Sequence, residues 1–389
     1  MKSSNVEFIV KSFTNSLAFK THDVIDGEIL FTPVQETHVE DISITFKGMT
    51  RIEPEDMSIH LPLPPRQIHK PFLNMELPIF DCIEDTKTFK PGQSYRIPFM
   101  FIVPEVIPIH ACHHQCANQQ IQQEHLRLPA SLCYRATKAY EPHDMSPEMV
   151  QMVYGINFAP WQRGGKAGRL RKIQVSTHPV QILPTRDEHP PILIPSKNRY
   201  YRLRAERSLF TGMLRHACGK LAACSAQPAA IQLQSLYPTR IDASTSVNID
   251  LRFDPSHSGQ LPPSLLATEF QLRAMTFFGQ EPWQDYPDRS QVSTWGTRQG
   301  FWSDRVTLMV KNEIKTDWKA QKEREGMIFT ASVETSVSLP PHRHYPPTFD
   351  SCFVSRAYSL KAKIFYQVPG KARSRSSISV SVPVEICAT

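Results

Sequence analysis

Hydrophobic and polar residues alternate with a period of two along much of this chain. The alternation is clearest in four segments, Val6–Val10, Ile42–Phe46, Val150–Phe158 and Ile378–Ile386. Successive side chains of a strand point to opposite faces of a sheet, so each segment predicts a half-buried strand of an antiparallel sheet. Pro383 has no amide proton to donate, which predicts a sheet edge or a bulge at that position.

One further strand is predicted from a run that is apolar on both faces. In Ile97–Pro104 (IPFMFIVP), Phe99 and Phe101 alternate with Met100 and Ile102, and a proline stands near each end. A strand that is apolar on both faces is typical of the middle of a covered sheet. The run is therefore predicted to be a central, buried strand.

Helical patterns are weak. The chain has 33 prolines, and each one inside a helix would remove a hydrogen bond and clash with the preceding turn. Cys112–Glu124 is predicted to form one or two helical turns, and Asn312–Glu325 is predicted to be either helical or a charged loop. Short strands with proline-rich turns predict an all-β protein made of antiparallel, immunoglobulin-like β-sandwiches.

The 389 residues are too many for one ordinary sandwich. A boundary is predicted at Pro184–Lys197 (PTRDEHPPILIPSK), because its four prolines stiffen the chain into an extended linker. We therefore predict an N-terminal sandwich over 1–183, a linker over 184–197 and a C-terminal sandwich over 198–389.

The net charge of +7 is unevenly distributed. Up to Leu183 there are 18 Lys and Arg residues against 19 Asp and Glu residues, and beyond it there are 26 against 18. A mildly basic balance suits an acidic partner without identifying it. The polar start of the chain is unlike a secretory signal, and no run approaches the ~18 apolar residues of a membrane span. The eight cysteines are therefore interpreted as reduced thiols of a cytoplasmic protein.

Several blocks of the first half occur in an informative order and spacing. They are Thr21–Phe31, Val39–Gly48 (VEDISITFKG), Phe89–Gly92 followed by Ile97–Pro104, His125–Leu132 (HLRLPASL) and Met145–Ile156 (MSPEMVQMVYGI). Together they resemble the N-terminal domain of the arrestin family, in particular its fungal arrestin-like (α-arrestin) branch. Leu128–Ser131 reads LPAS where the family pattern is LPPS, which is a small departure.

A second-half block, Pro346–Leu360 (PPTFDSCFVSRAYSL), is similar to a late strand of the arrestin C-terminal domain. The resemblance covers about residues 17–160 and 325–366, while residues 200–310 match only in strand pattern. It implies two arrestin-like sandwiches in a non-enzymatic adaptor. Such an adaptor binds cytosolic tails of membrane proteins in trafficking or signalling, and is recruited to the plasma membrane or endosomes. The alternative it leaves open is a structural scaffold subunit of a sorting or coat complex.

One departure from the family concerns ubiquitin ligases. α-Arrestins commonly recruit WW-domain ligases through Pro-Pro-x-Tyr, and the sequence has no such motif. Pro346–Phe349 only approximates it, inside a block that is predicted to be a packed strand. A ligase complex is therefore expected only indirectly, through a second adaptor.

The stretch His110–Cys116 (HACHHQC) contains the densest group of potential metal ligands. Cysteine and histidine bind zinc in tetrahedral sites, but this spacing lacks the two ligand pairs of common zinc motifs. The stretch is therefore interpreted as a structural loop, with no cofactor and no assigned metal. The weak candidate ligands are His110, Cys112, His113, Cys116 and His125.

No catalytic or nucleic-acid motif is found. The sequence lacks Gly-x-Ser-x-Gly, His-Glu-x-x-His and a phosphate-binding loop, and Gly164–Gly168 has the length of a turn. Aromatic residues are too sparse among the basic ones for a nucleic-acid surface. No enzymatic activity and no nucleic-acid partner are expected.

A basic stretch near the end of the first half is the candidate partner-binding surface. On a strand, Arg169 and Arg171 would share one face with Lys172 opposite, and such groups hold carboxylates or phosphates. A solvated sheet edge is the alternative interpretation. In arrestins the N-terminal domain grips acidic or phosphorylated tails, so the resemblance implies this role here. The candidates are Lys11, Arg163, Lys166, Arg169, Arg171 and Lys172.

Overall fold

The structure is a computed structural model that describes most of the chain. The described residues are 4–11, 18–53, 67–78, 88–133, 144–164, 169–192, 194, 198, 201–211, 216–233, 243–288, 292, 299–312, 317–323, 326–341, 343–369 and 375–389.

The described part of the first half contains strands and one short helix. The strands are β1 (Asn5–Lys11), β2 (Ala18–Phe19), β3 (Val24–Thr32), β4 (Thr37–His38), β5 (Asp41–Ile52), β6 (Ile68–Leu77), β7 (Thr88–Phe89), β8 (Tyr95–Ile102), β9 (Val150–Gly164), β10 (Arg169–Lys172) and β11 (Ser176–Ile182). A 3₁₀ turn spans Ile109–Ala111 and helix α1 spans Gln119–Leu126. One sheet has the order β1-β3-β8, a larger one has the order β2-β11-β9-β5-β6 with β10 paired to β9, and β4 pairs with β7.

The second half is built in the same way. Its strands are β12 (Arg204–Thr211), β13 (His216–Cys224), β14 (Ile231–Leu233), β15 (Ser244–Pro255), β16 (Ser264–Gly279), β17 (Gln299–Asn312), β18 (Lys319–Glu323), β19 (Gly326–Ser338), β20 (Phe349–Asp350), β21 (Val354–Gln367), β22 (Arg375–Val384) and β23 (Ile386–Ala388). One sheet has the order β12-β13-β15-β19-β18, and another has the order β17-β16-β21-β20 with β22 paired to β21.

The alternating sequence pattern explains the cores. In β5, Ile42, Ile44 and Phe46 are buried and face a cluster drawn from both sheets of the first half, and Ile378 and Val380 of β22 join the cluster of the second half. The fold is all-β with antiparallel sheets, as the sequence predicts. Strand pairings among the described residues stay within one half of the chain, and the exact division at 184–197 stays a prediction.

A third apolar cluster joins the two halves. Leu132 and Met152 of the first half are buried together with Phe278, Phe349 and Val354 of the second. Burial of apolar surface stabilises an interface by about 25 cal/mol per Å². This cluster therefore holds the two sets of sheets against each other around the segment that leads from α1 to β9.

Residues of β23 close the second half through long-range parallel pairing. Ile386 pairs with Ile231 of β14, and Ala388 forms a parallel bridge with Thr185 of the segment after β11. The backbone N–H of Arg186 donates to the carbonyl of Ala388 at 3.1 Å.

Two sequence predictions about individual elements are wrong. The run Phe99–Val103 is not central, because β8 is the outer strand of its sheet and pairs only with β3 among the described strands. Met100 and Ile102 are 58% and 50% exposed. The prediction of a helix or a charged loop for Asn312–Glu325 is also wrong. Of this segment, Asn312 ends β17 and Lys319–Glu323 forms a strand, β18, with every side chain exposed. A strand at a sheet edge can be exposed on both faces, so it needs no apolar residues. The charged sequence of β18 therefore shows no alternating pattern that would predict a strand.

Other predictions about elements are confirmed. A short helix forms near the predicted place, beginning at Gln119 because the Asn118 side chain accepts a 3.0 Å hydrogen bond from the amide of Ile121. Pro383 lies in β22, the outer strand beside β21. Among the residues the structure describes, no helix is long and apolar enough to cross a membrane.

Candidate functional site

The predicted basic surface is an exposed hairpin of β9 and β10. Arg171 lies opposite Gln162 and Lys172 opposite Trp161, and every side chain of β10 is exposed. The alternation of the strand places Arg169 and Arg171 on one face of the hairpin. Arg163 and Lys172 lie on the other face.

The cations of this hairpin differ in their neighbours. Arg163 lies 3.6 Å from a carboxylate oxygen of Glu40, and the ammonium of Lys172 lies 5.0 Å from the centre of the Trp161 ring. Arg169 and Arg171 have no ion-pair partner among the residues that the structure describes. These two guanidinium groups are therefore available to an anionic partner.

The other two candidates of the basic surface do not lie in the described part of the hairpin. Lys11 is exposed at the end of β1, opposite Asp26, on the other sheet of the first half. Lys166 lies outside the described residues. The described surface thus consists of Arg163, Arg169, Arg171 and Lys172.

A second charged region lies buried where the two halves meet. Arg356 of β21 is 0% exposed, and its guanidinium donates to the carbonyl oxygens of Met145 at 3.0 Å and Asp144 at 2.6 Å. It also donates to the Thr276 hydroxyl at 2.6 Å. Arg356 of the predicted late strand thus fixes the segment that precedes β9 against the second half.

Beside it, Glu124 of α1 forms a buried ionic network. Its carboxylate accepts from Arg186 at 3.0 Å and lies 3.2 Å from His189 and 3.4 Å from Arg127. The other ring nitrogen of His189 lies 3.2 Å from Glu385. The network therefore connects the first half, the predicted linker and the segment just before β23.

The pKa values in this network shift in the directions that ion pairing requires. Burial tends to raise the pKa of Glu124, but the hydrogen bond from His189 and the positive charges of Arg186, His189 and Arg127 together lower it. Hydrogen bonds to Glu124 and Glu385 raise the pKa of His189 to about 9 against the opposing effect of burial. The network is therefore ionic at neutral pH.

Three potential metal ligands are equally far from one another: two cysteines that precede α1 and one histidine within it. The sulfur atoms of Cys112 and Cys116 are 3.8 Å apart, and each lies 3.8 Å from Nδ1 of His125. The 3₁₀ turn and the N-terminus of α1 bend the loop so that both thiols approach the histidine of the helix. Two further residues, His114 and Cys352, complete this cysteine–histidine cluster.

Cys352 is contributed by the loop between β20 and β21 of the second half. One ligand atom from each of Cys112, His114, His125 and Cys352 lies within 4.8 Å of the others. The Cys352 thiol also lies 3.7 Å from the carbonyl oxygen of Ala111. Both halves of the chain therefore contribute to the cluster.

Burial governs the ionisation of the cluster. It raises the pKa of the Cys112, Cys116 and Cys352 thiols to about 11 each, and it lowers the pKa of His125 to about 4. The His125 imidazole is therefore neutral at physiological pH, which is the form that binds metals.

Sequence reasoning found part of this cluster and missed two members. It named Cys112, Cys116 and His125, which the structure brings together. It also named His110 and His113, which the structure leaves out: both are exposed, and Nδ1 of His113 lies 3.0 Å from the carbonyl oxygen of His110. His114 stands next to His113 in the sequence, and only the course of the backbone decides which ring points inward. Nothing in the sequence connects Cys352 to this loop.

A cavity of about 420 Å³ opens beside the cluster. Its lining includes His114, His125 and Cys352 from the cluster, with Phe72 and Phe353 as apolar neighbours. The cavity gives solvent and small ions a route to the ligand atoms.

No protein-family model matches the chain, and no curated protein matches it.

Proposed function

We propose that this protein is a non-enzymatic, arrestin-like adaptor that binds acidic or phosphorylated cytosolic tails of membrane proteins. In this proposal it acts in trafficking or signalling in the cytoplasm and is recruited to membranes by its cargo. The proposal extends the sequence resemblance to arrestins, and the all-β architecture is consistent with it.

The exposed β9–β10 hairpin is the observation that carries the proposal. Arg169 and Arg171 stand two residues apart on one face, and neither is occupied by a described carboxylate. Guanidinium groups bind carboxylate and phosphate oxygens through pairs of parallel hydrogen bonds. The spacing suits an extended tail whose acidic groups also alternate along one face.

The strength of such binding follows from exposed electrostatics. Each exposed ion pair contributes only about 0–1 kcal/mol, so several must act together. Added salt shortens the Debye length from about 10 Å at 0.1 M to about 3 Å at 1 M and should weaken the complex. A partner that binds through this face is therefore expected to associate reversibly.

Fluorescence anisotropy with a labelled peptide that carries three phosphoserines tests the proposal. The charge reversal Arg169→Glu with Arg171→Glu should raise the Kd at least about tenfold, equivalent to about 1.4 kcal/mol. The matched control is Lys319→Glu with Lys322→Glu, which makes the same charge change on the exposed strand β18. The unphosphorylated peptide should bind more weakly than the phosphorylated one.

Equal weakening by both double variants would mean that only net charge matters, and it would overturn the assignment of this face. No binding by the wild-type chain at any salt concentration would reject tail binding itself.

A further inference from the structure

We propose that Cys112, Cys116, His125 and Cys352 bind one structural zinc ion, which fastens the loop before α1 to the loop between β20 and β21. This site is separate from the basic hairpin and does not depend on the proposed adaptor function.

The distances within the cysteine–histidine cluster match a tetrahedral zinc site. Zinc–sulfur bonds of about 2.3 Å and zinc–nitrogen bonds of about 2.0–2.1 Å place two sulfur ligands about 3.8 Å apart, and a sulfur and a nitrogen about 3.6 Å apart. The three separations among Cys112, Cys116 and His125 are each 3.8 Å. These atoms therefore form one face of the expected tetrahedron.

The fourth ligand is assigned to Cys352 in preference to His114. Both residues belong, with Cys112 and His125, to the group of ligand atoms that lie within 4.8 Å of one another, but Cys352 is buried whereas His114 is only partly buried. Both ring nitrogens of His114 lie at similar distances from the Cys112 sulfur, 3.7 and 4.0 Å. The shorter distance also fits a sulfur–nitrogen ligand pair, so His114 is the competing fourth ligand, and the variants below distinguish it from Cys352.

The chemistry of the ligands favours zinc and a structural role. Thiolates and imidazole together select zinc over the hard cations magnesium and calcium, which prefer oxygen. Three cysteines and one histidine fill all four tetrahedral positions, so no position remains open for a substrate or an activated water. When zinc binds, the three thiols release their protons to solvent and become thiolates.

The position of the site gives the ion a mechanical consequence. Cys112 precedes α1, and His125 lies in the last turn of this helix. Cys352 precedes β21, which contains the buried Arg356. Zinc would therefore join the two halves at the same junction as the Glu124 network. Removal of zinc should loosen this junction without unfolding the separate cores of the two halves.

The first experiment measures zinc in the full chain, purified under reducing conditions. Elemental analysis should find one zinc per chain. X-ray absorption at the zinc edge should find three sulfur ligands and one nitrogen ligand, with zinc–sulfur distances of about 2.3 Å. This measurement needs no variant, so it remains decisive even if a substituted chain fails to fold.

The second experiment compares variants by competition with a zinc chelator. Cys352→Ser and His125→Ala should weaken zinc binding more than about 100-fold, because loss of a mere outer-shell partner already costs about 10–100-fold. Cys224→Ser is the matched control, since that exposed thiol lies on β13 outside the cluster. His114→Ala should retain one zinc per chain.

Several results would overturn the proposal. One is a reduced wild-type chain that takes up no zinc when zinc chloride is added. Another is a zinc-free chain whose mass shows a disulfide within the cluster under reducing conditions. Two sulfur and two nitrogen ligands at the zinc edge, with zinc lost in His114→Ala but kept in Cys352→Ser, would refute the link to the second half.

Discussion

Arg356 and the pair Arg169 and Arg171 are the same kind of residue in opposite surroundings. Arg356 is completely buried where the two halves meet, and carbonyl and hydroxyl oxygens surround its guanidinium. Arg169 and Arg171 extend into solvent from the short strand β10. Both terminal nitrogens of the first arginine donate hydrogen bonds within the fold, whereas the other two have no ion-pair partner among the described residues.

The difference shows how burial changes the role of one side chain. A buried donor or acceptor left without a partner costs about 1–3 kcal/mol, so the oxygens around Arg356 depend on it. An exposed guanidinium exchanges hydrogen bonds with water and contributes little to stability. Charge near the junction therefore serves the fold, whereas charge on the hairpin contributes little to it.

The largest expected effect is that of Arg356→Met. Methionine fills much of the space but leaves the carbonyls of Asp144 and Met145 without their donors, so we expect a loss of about 3–5 kcal/mol in unfolding free energy. Urea denaturation followed by tryptophan fluorescence measures it. The control is Arg204→Met, which removes an exposed arginine from β12 and should cost less than about 0.5 kcal/mol. A loss below 1 kcal/mol for Arg356→Met would contradict the structural role of this arginine.

An intermediate effect is expected from pH at His189. Hydrogen bonds to Glu124 and Glu385 raise its pKa from the usual 6.5 to about 9, so the protonated ring stabilises the fold fully below about pH 6.5, and this stabilisation disappears as pH rises through 9. The groups that face it are Glu124, Glu385 and, through Glu124, Arg186.

The comparison of wild type with His189→Gln isolates this contribution. The stability difference between them should be larger at pH 6 than at pH 9.5, by at most about 3 kcal/mol. Thermal denaturation at both pH values measures it, and the titration of other groups cancels between the two chains. A difference that is independent of pH would show that the pKa of His189 is the same in the folded and unfolded chains, so that its ion pairs do not stabilise the fold.

The smallest expected effect is that of Arg169→Glu with Arg171→Glu on stability. Both side chains are exposed and no described carboxylate pairs with them, so the unfolding free energy should change by less than about 0.5 kcal/mol. The same urea titration measures it. A larger loss would mean that the hairpin arginines also hold the fold, and the contrast with Arg356 would fail.

Local patterns predicted most of the fold. In Val150–Phe158, alternation alone predicted a strand, and Met152, Tyr154, Ile156 and Phe158 are buried in β9. The pattern failed where the strand lies at an edge. The outer face of β8 is apolar yet exposed at Met100, and β18 is charged on both faces. Position within a sheet is decided by pairing between distant segments, which periodicity does not contain.

The candidate sites were predictable to different degrees for the same reason. Arg169 and Arg171 stand two residues apart, and this spacing alone places them on one face of a strand. The cysteine–histidine cluster needs Cys352, which approaches Cys112 only after the two halves have packed together. The spacing of its ligands along the sequence therefore matches no common zinc motif. The distances among Cys112, Cys116 and His125 in space nevertheless match those of a tetrahedral site.

The parallel pairing of β23 with β14 sets an order of events during synthesis. Ile231 leaves the ribosome well before Ile386, its partner in the pairing. At about 5–20 residues per second, this interval is roughly 8 to 30 seconds. Throughout it, β14 and Thr185 lack their neighbours, and the apolar residues beneath them stay uncovered. The parallel pair that completes this part of the second half therefore forms only after β23 has been synthesised.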